Sequence, residues 1–254
     1  MKRSIQLAAQ SVPGVAIFAV GRLSDAPLQY LLFSKGWAVK ALTSVGIRAS
    51  NLLVTTGPGL GGIGPIPTLL TGMYAVASLR HAYWVLVTNT YHWEAGGALG
   101  VVAFNSVMNL YNTLVATNAL TSSSLPLLGT FTDCIGWKQW AGLGIFGAGI
   151  LLEMAAEEAR RAFKKDERNK GKICNVGPWG MVRHPNYLGY LLWRVGITLA
   201  TGSLPATIIM GAFQAMAFIR GGIPDLVAHM KPRYGVQWEE YEKQVPYALI
   251  PGIY

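Results

Sequence analysis

The chain has 254 residues, 52% of them hydrophobic and only 13% charged, with a formal net charge of +9. Soluble domains carry about a quarter charged residues, so charge this sparse excludes an ordinary soluble domain and points to an integral membrane protein. No basic solvent-facing module accompanies the positive charge, which argues against nucleic acid as a partner and fits Lys and Arg held on cytoplasmic loops.

Met1–Gln10 is short and mildly basic, and no small-residue cleavage site follows an apolar core, so no cleavable leader is expected. Apolar runs of roughly 17–25 residues then mark candidate spans. The first covers about Val12–Leu32, interrupted by Arg22 and Asp25, and reads as a span with a bend. The second, about Trp37–Val54, is weakened by Lys40 and Arg48. Gly57–Pro67 (GPGLGGIGPIP) reads as a loop. A strong span follows at about Thr68–Val87, and another at about Gly96–Leu120, which carries asparagines at 105, 109, 112 and 118. TSSSLP (121–126) is a loop signal. Trp140–Met154 is apolar and runs on into a charged helix to Phe163. Tyr187–Ile219 is long enough for two spans turning at Gly202–Pro205, and the tail from Arg220 is polar and aromatic. The fold class expected is an all-α polytopic membrane bundle of about five to seven spans.

Arg160, Arg161, Lys164, Lys165, Arg168, Lys170 and Lys172 crowd thirteen residues, which places that stretch and the tail on the cytosolic side. Cys134 and Cys174 have no metal-ligand spacing, and Cys174 lies in this basic loop, so free thiols and no metal are expected. GLGGIG (59–64) fits the dinucleotide fingerprint in letters only. No acid occurs between Asp25 and Glu94, and Pro65 and Pro67 are expected to spoil a helix start.

The densest chemistry lies at 157–189, EEARRAFKKDERNKGKICNVGPWGMVRHPNYLG. Two acids close a helix, a basic loop follows, and Arg183, His184 and Asn186 open the next helix with Pro185 in its first turn. A helix N-terminus beside such cations suits a phosphate or carboxylate. Ionisable groups at membrane level are a functional signal by default.

GPWGMVRHPNYLG, followed about 45 residues later by RYGVQWEEYEKQVPYALIPGIY, resembles the C-terminal half of membrane sterol reductases. The sterol C14-reductases and dehydrocholesterol reductases have the same Arg-His-Pro-Asn-Tyr-Leu-Gly stretch and a similar Val-Pro-Tyr and Ile-Pro tail. The wider superfamily includes steroid 5α-reductases, and also isoprenylcysteine carboxyl methyltransferases, which share Arg-His-Pro and an aromatic-Gly step. The resemblance covers 157–254.

It implies a cytosol-facing cofactor pocket in the C-terminal half, holding NADPH in reductases or S-adenosylmethionine in methyltransferases. By motif, Arg183, His184, Asn186 and Tyr187 would line it, with Glu157, Arg160 and Arg161 on the preceding helix. Lys170 and Lys172 would approach phosphates, and Arg220 and Asp225 would form a further polar pair. Tyr234, Trp238, Tyr241 and Tyr247 would close over the ligand or simply pack. Many steroid-reductase relatives carry an acid directly after the Leu-Gly step, where this chain has Tyr190. Either the proton donor is a tyrosine, Tyr190, Tyr187 or Tyr83, or the chain is not a carbonyl-directed reductase; Glu94 is the nearest spare acid. Arg80 and His81, beside Tyr83 and Trp84, serve either the substrate or hydrogen bonding between helices.

The concentrated positive charge favours the phosphates of NADPH over the cationic, phosphate-free S-adenosylmethionine. The expectation is NADPH-dependent reduction of a C=C bond in a sterol-, steroid- or lipid-like enone. The alternatives are methyl transfer from S-adenosylmethionine and a non-enzymatic lipid-binding protein. Residues 1–136 form the substrate side and 137–254 the cofactor region. The substrate is apolar and enters from the bilayer, no obligate protein partner is expected, and the membrane is the endoplasmic reticulum if the cell is eukaryotic.

Overall fold

The structure is a computed structural model that describes every residue except 1, 90–91 and 127–128, and not the side chains of 2–11. Regular structure among the described residues is entirely helical. In chain order the helices are α1 (Lys2–Ser34), α2 (Trp37–Ser44), α3 (Leu52–Thr55), α4 (Pro65–Tyr83), α5 (Ala95–Thr121), α6 (Trp137–Lys165), α7 (Pro185–Ala200), α8 (Leu204–Ala217), α9 (Ile223–Tyr234) and α10 (Val236–Gln244). π-helical turns extend α4 over Trp84–Thr88 and α8 over Phe218–Gly222. The all-α membrane architecture read from the sequence therefore holds. Three stretches, Ala95–Thr121, Trp137–Lys165 and Leu204–Tyr234, are each long and apolar enough to cross a bilayer. Large apolar side chains such as Leu151, Ile208 and Ile209 lie exposed, as lipid-facing positions require.

Two local expectations are corrected. Trp37–Val54 is not one span. The α2 chain stops where Gly46 takes a left-handed φ of 79°, with Gly46 N–H donating to Thr43 O and Ile47 N–H to Leu42 O. That paired bonding is a Schellman stop, which a glycine allows at no steric cost. Pro65 and Pro67 do not spoil a helix start. Pro65 is the first residue of α4, where the N–H it lacks would have had no helical partner. No strand precedes the glycines, so the dinucleotide fingerprint stays rejected. The first span is one helix, α1, with Pro13 and Pro27 inside it.

The chain divides into two compact units, residues 1–143 with 197–204, and residues 144–196 with 205–254. In the first unit α5 turns its polar side inward. Asn105, Asn109, Asn112, Thr113 and Thr117 are buried at helical spacing while Leu99, Val107 and Leu110 face outward. Asn109 and Thr113 reach α1, Asn112 accepts from Thr198, and Asn105 and Thr117 donate to carbonyls of α5 itself. Asp25 accepts from Arg22 (3.1 Å), Gln29 (3.1 Å) and Asn109 (2.5 Å); Arg22 Nε donates to His81 Nδ1 (3.0 Å); and Thr113 donates to Gln29 (2.7 Å). A buried charge pair is costly unless further hydrogen bonds hold it, and here Gln29, His81 and Asn109 supply them from three helices. In the second unit α6 and α7 touch through glycine, with Gly149 and Gly189 each against the other helix's backbone.

Candidate functional site

The second unit gathers the polar end of α6, the segment before α7, and the tail. Glu157 sits on α6, 5% exposed, and its carboxylate accepts from Arg160 (2.6 Å) one turn on and from Asn186 (3.1 Å) in the first turn of α7. The Arg160 guanidinium also lies 5.8 Å from the Trp179 ring. Trp179 stands in the 3₁₀ turn Gly177–Gly180, donates its indole N–H to Ala156 O (2.7 Å) and accepts at its carbonyl from the Tyr241 hydroxyl (2.7 Å). α6, the turn and α10 are thus tied by buried hydrogen bonds, each worth about 1 kcal/mol net.

Arg183 and His184 dock the tail. Their backbone N–H groups donate to Tyr247 O and Ala248 O at 2.9 Å each, and Arg183 Nη1 donates to Val245 O (2.8 Å) and Pro246 O (2.9 Å). Arg183 Nε and both ring nitrogens of the 1% exposed His184 are buried without a hydrogen-bond partner. His184 stacks on Tyr187 at 5.5 Å, and Tyr187 on Phe218 at 4.5 Å. Unpaired buried donors are costly, and here they sit beside the residues that the motif singles out.

Burial, and then the Arg183 charge, lower the pKa of His184 from 6.5 to about 4. The unfolded chain therefore binds this proton first. Stability from this group is complete above about pH 6.5 and drains away as pH falls toward about 4, by roughly 3 kcal/mol in all. Denaturation followed from about pH 7 to about pH 5 will show that slope in the native protein and lose it in His184→Phe; equal slopes would contradict the assignment.

The remaining expected residues spread out. Tyr190 faces Arg194, whose Nε and Nη2 both donate to the hydroxyl oxygen at 3.1 Å. Tyr234 accepts from Lys164 (3.3 Å), which also donates to Lys172 O. Trp238 and Tyr241 are buried in an apolar cluster with Val245. Burial also holds the Tyr241 phenol well above its ordinary value. Arg161, Lys170, Lys172, Arg220, Asp225 and Tyr247 are exposed. Tyr83 and Glu94 belong to the first unit, Tyr83 39% exposed and Glu94 exposed as the residue preceding α5. Both cysteines are free and buried, and burial raises the Cys174 thiol, so it is no ready nucleophile.

Three residues were missed: Glu153, Trp193 and Arg194. Glu153 is buried on α6 and accepts from the Trp193 indole at 2.9 Å, and Arg194 is fully buried beside that ring. An ionisable residue inside an apolar run is itself the available signal, and Glu153 and Arg194 both carry it.

Residues 97–245 match the model of a family described as "Protein of unknown function (DUF1295)". The chain is similar to "Probable O-methyltransferase ustE" of Ustilaginoidea virens, 32% identical over 62% of this chain and 55% of that protein. It is also similar to "Delta(14)-sterol reductase ERG24" of Candida albicans, 29% identical over 47% of this chain and 29% of that one. A third similarity is to the "Delta(14)-sterol reductase" of Ascobolus immersus, 23% identical over 89% of this chain and 51% of that one. The chain thus spans about half, or less, of the length of these relatives. No solved structure matches it.

Proposed function

Since the chain belongs to the DUF1295 family, and with it to the membrane sterol and steroid reductase superfamily, we propose that it reduces a C=C bond of a sterol-, steroid- or lipid-like enone with NADPH. The observation that carries this reading is the assembly of Glu157, Arg160, Asn186, Arg183 and His184 around the start of α7, with buried N–H groups left for an acceptor-rich ligand. These residues fit a nucleotide. Arg183 and His184 would hold it by hydrogen bonds, Glu157 and Asn186 would keep the first turn of α7 in place, and the exposed Arg161, Lys170 and Lys172 supply charge for phosphates. NADPH, when bound, supplies a hydride. The chain's own contribution is to orient the apolar substrate and to deliver a proton to its far end, for which Tyr190 is the residue of choice.

The protein acts within the membrane, and the endoplasmic reticulum is the proposed site. The basic stretch and tail face the cytosol, and the substrate arrives from the bilayer. Methyl transfer is the second reading, favoured by the similarity to a protein named an O-methyltransferase and by the aromatic residue at 190. Analysis of products from purified protein in lipid vesicles separates the two. With NADPH and a panel of steroid and sterol enones, the expected product carries two added hydrogens and one NADPH is consumed per turnover. A product carrying a new methyl group, formed only with S-adenosylmethionine, would overturn the reductase reading.

A further inference from the structure

Tyr190 and Arg194 stand one turn apart on α7, so their side chains share a face. A fully buried arginine within an apolar helix is expensive, and its surroundings are built to hold it. Its guanidinium carbon lies 4.4 Å from the centroid of the Trp193 ring and 5.3 Å from that of Tyr190. Trp193 is fixed in turn by its hydrogen bond to the buried Glu153 on α6. The Tyr190 ring meets Trp193 and Phe218 edge-on, at 4.6 and 5.8 Å. Two of the guanidinium's donors converge on one atom, the Tyr190 oxygen. A guanidinium accepts nothing, so the phenol must turn its lone pairs to Arg194 and aim its one proton elsewhere.

We infer that Arg194 is the positioning residue that makes Tyr190 a directed proton donor and holds the negative charge left on its oxygen. This rests on the reductase reading above. In the step, the Tyr190 O–H bond breaks and its proton goes to the end of the substrate's conjugated system remote from the hydride. The bonding pair stays on the phenolate oxygen, against the guanidinium. The hydride would come from reduced nicotinamide, oxidised in the exchange, and water would return a proton to Tyr190, so that the substrate gains two electrons and two hydrogens. Fixed positive charge aimed at an oxygen where negative charge develops is the arrangement that lowers such a barrier. The role needs arginine's planar fork, because a lysine in its place would offer a point charge without the paired donors.

The test is Arg194→Lys made in two backgrounds. In the native background turnover should fall roughly 10- to 100-fold, with KM for substrate and NADPH within about twofold. In a Tyr190→Phe background the same change should cost less than about twofold, because the group through which Arg194 acts is gone. Equal losses in both backgrounds, or a loss confined to KM, would overturn the inference. Trp193→Phe keeps the arginine charge, takes the indole donor from Glu153 and loosens the guanidinium, and should give the same pattern at smaller size if Arg194→Lys does not fold; equal losses in both backgrounds would again count against the inference. A readout without turnover is fluorine NMR of cofactor-free protein carrying fluorotyrosine at position 190. Its resonance should move on Arg194→Lys, and a resonance that stays in place defeats the inference alone. A resonance that moves in a protein that transfers no hydride defeats the reductase reading, and the proton-donor role with it.

Discussion

Gly189→Ala will destabilise the protein by roughly 3 kcal/mol, the upper end of what overpacking a closed contact costs. A methyl group at 189 would lie 2.7 Å from Glu153 N and 2.8 Å from Gly149 O, and one at Gly149 would run into Trp193 N and lie 2.7 Å from Gly189 O. These obstacles are main-chain atoms, which cannot rotate away as a side chain can. Close glycine contact is how membrane helices gain dispersion energy where lipid offers no hydrophobic drive. Forcing α6 and α7 apart also strains the Trp193–Glu153 bond and the shelf under Arg194. A methyl group at Gly147, also on α6, would meet nothing within 4 Å, so Gly147→Ala is the control and should be neutral or slightly stabilising. Unfolding in detergent reads both, and equal stability of the two variants would contradict this account of the seam.

Tyr190→Phe will lower turnover by roughly 10²- to 10⁴-fold, the range over which a positioned acid contributes, while affinity for NADPH changes by less than about twofold. The substitution removes one oxygen and leaves the ring between Trp193 and Phe218. Loss of turnover without loss of affinity marks a group used in the transition state rather than in binding. Native turnover in the variant would remove Tyr190 from the mechanism and return Tyr187, Tyr83 and Glu94 to consideration. A loss wholly in cofactor affinity would instead make Tyr190 part of the binding wall.

The helices that apolar length alone defines were legible in sequence: α5 and α6 lie within a few residues of their expected bounds. The failure at Trp37–Val54 has a local cause, because Gly46 is equally at home inside a helix run and at its left-handed stop, and hydropathy does not tell the two apart. Glu157, Arg183, His184 and Asn186 were legible because the motif places them within one loop and two helix ends. Tertiary pairing was not. Asp25 meets Asn109 84 positions away and Glu153 meets Trp193 40 positions away, and nothing in either stretch names its partner. Arg194 did carry a signal, as one ionisable residue in an apolar run, and was passed over because that run was read for length alone. Arg183 also shows a task that its motif did not imply, since its guanidinium holds the carbonyls of Val245 and Pro246.

The most direct measurement of the central claim is the melting temperature of the detergent-purified protein with NADPH and, separately, with S-adenosylmethionine. A ligand that binds only the folded state stabilises it by mass action, about 2.7 kcal/mol at a hundredfold excess over Kd. The account predicts a rise with NADPH and none with S-adenosylmethionine. A rise with S-adenosylmethionine alone would contradict it and make the cluster of Glu157, Arg183 and His184 a methyl donor's site.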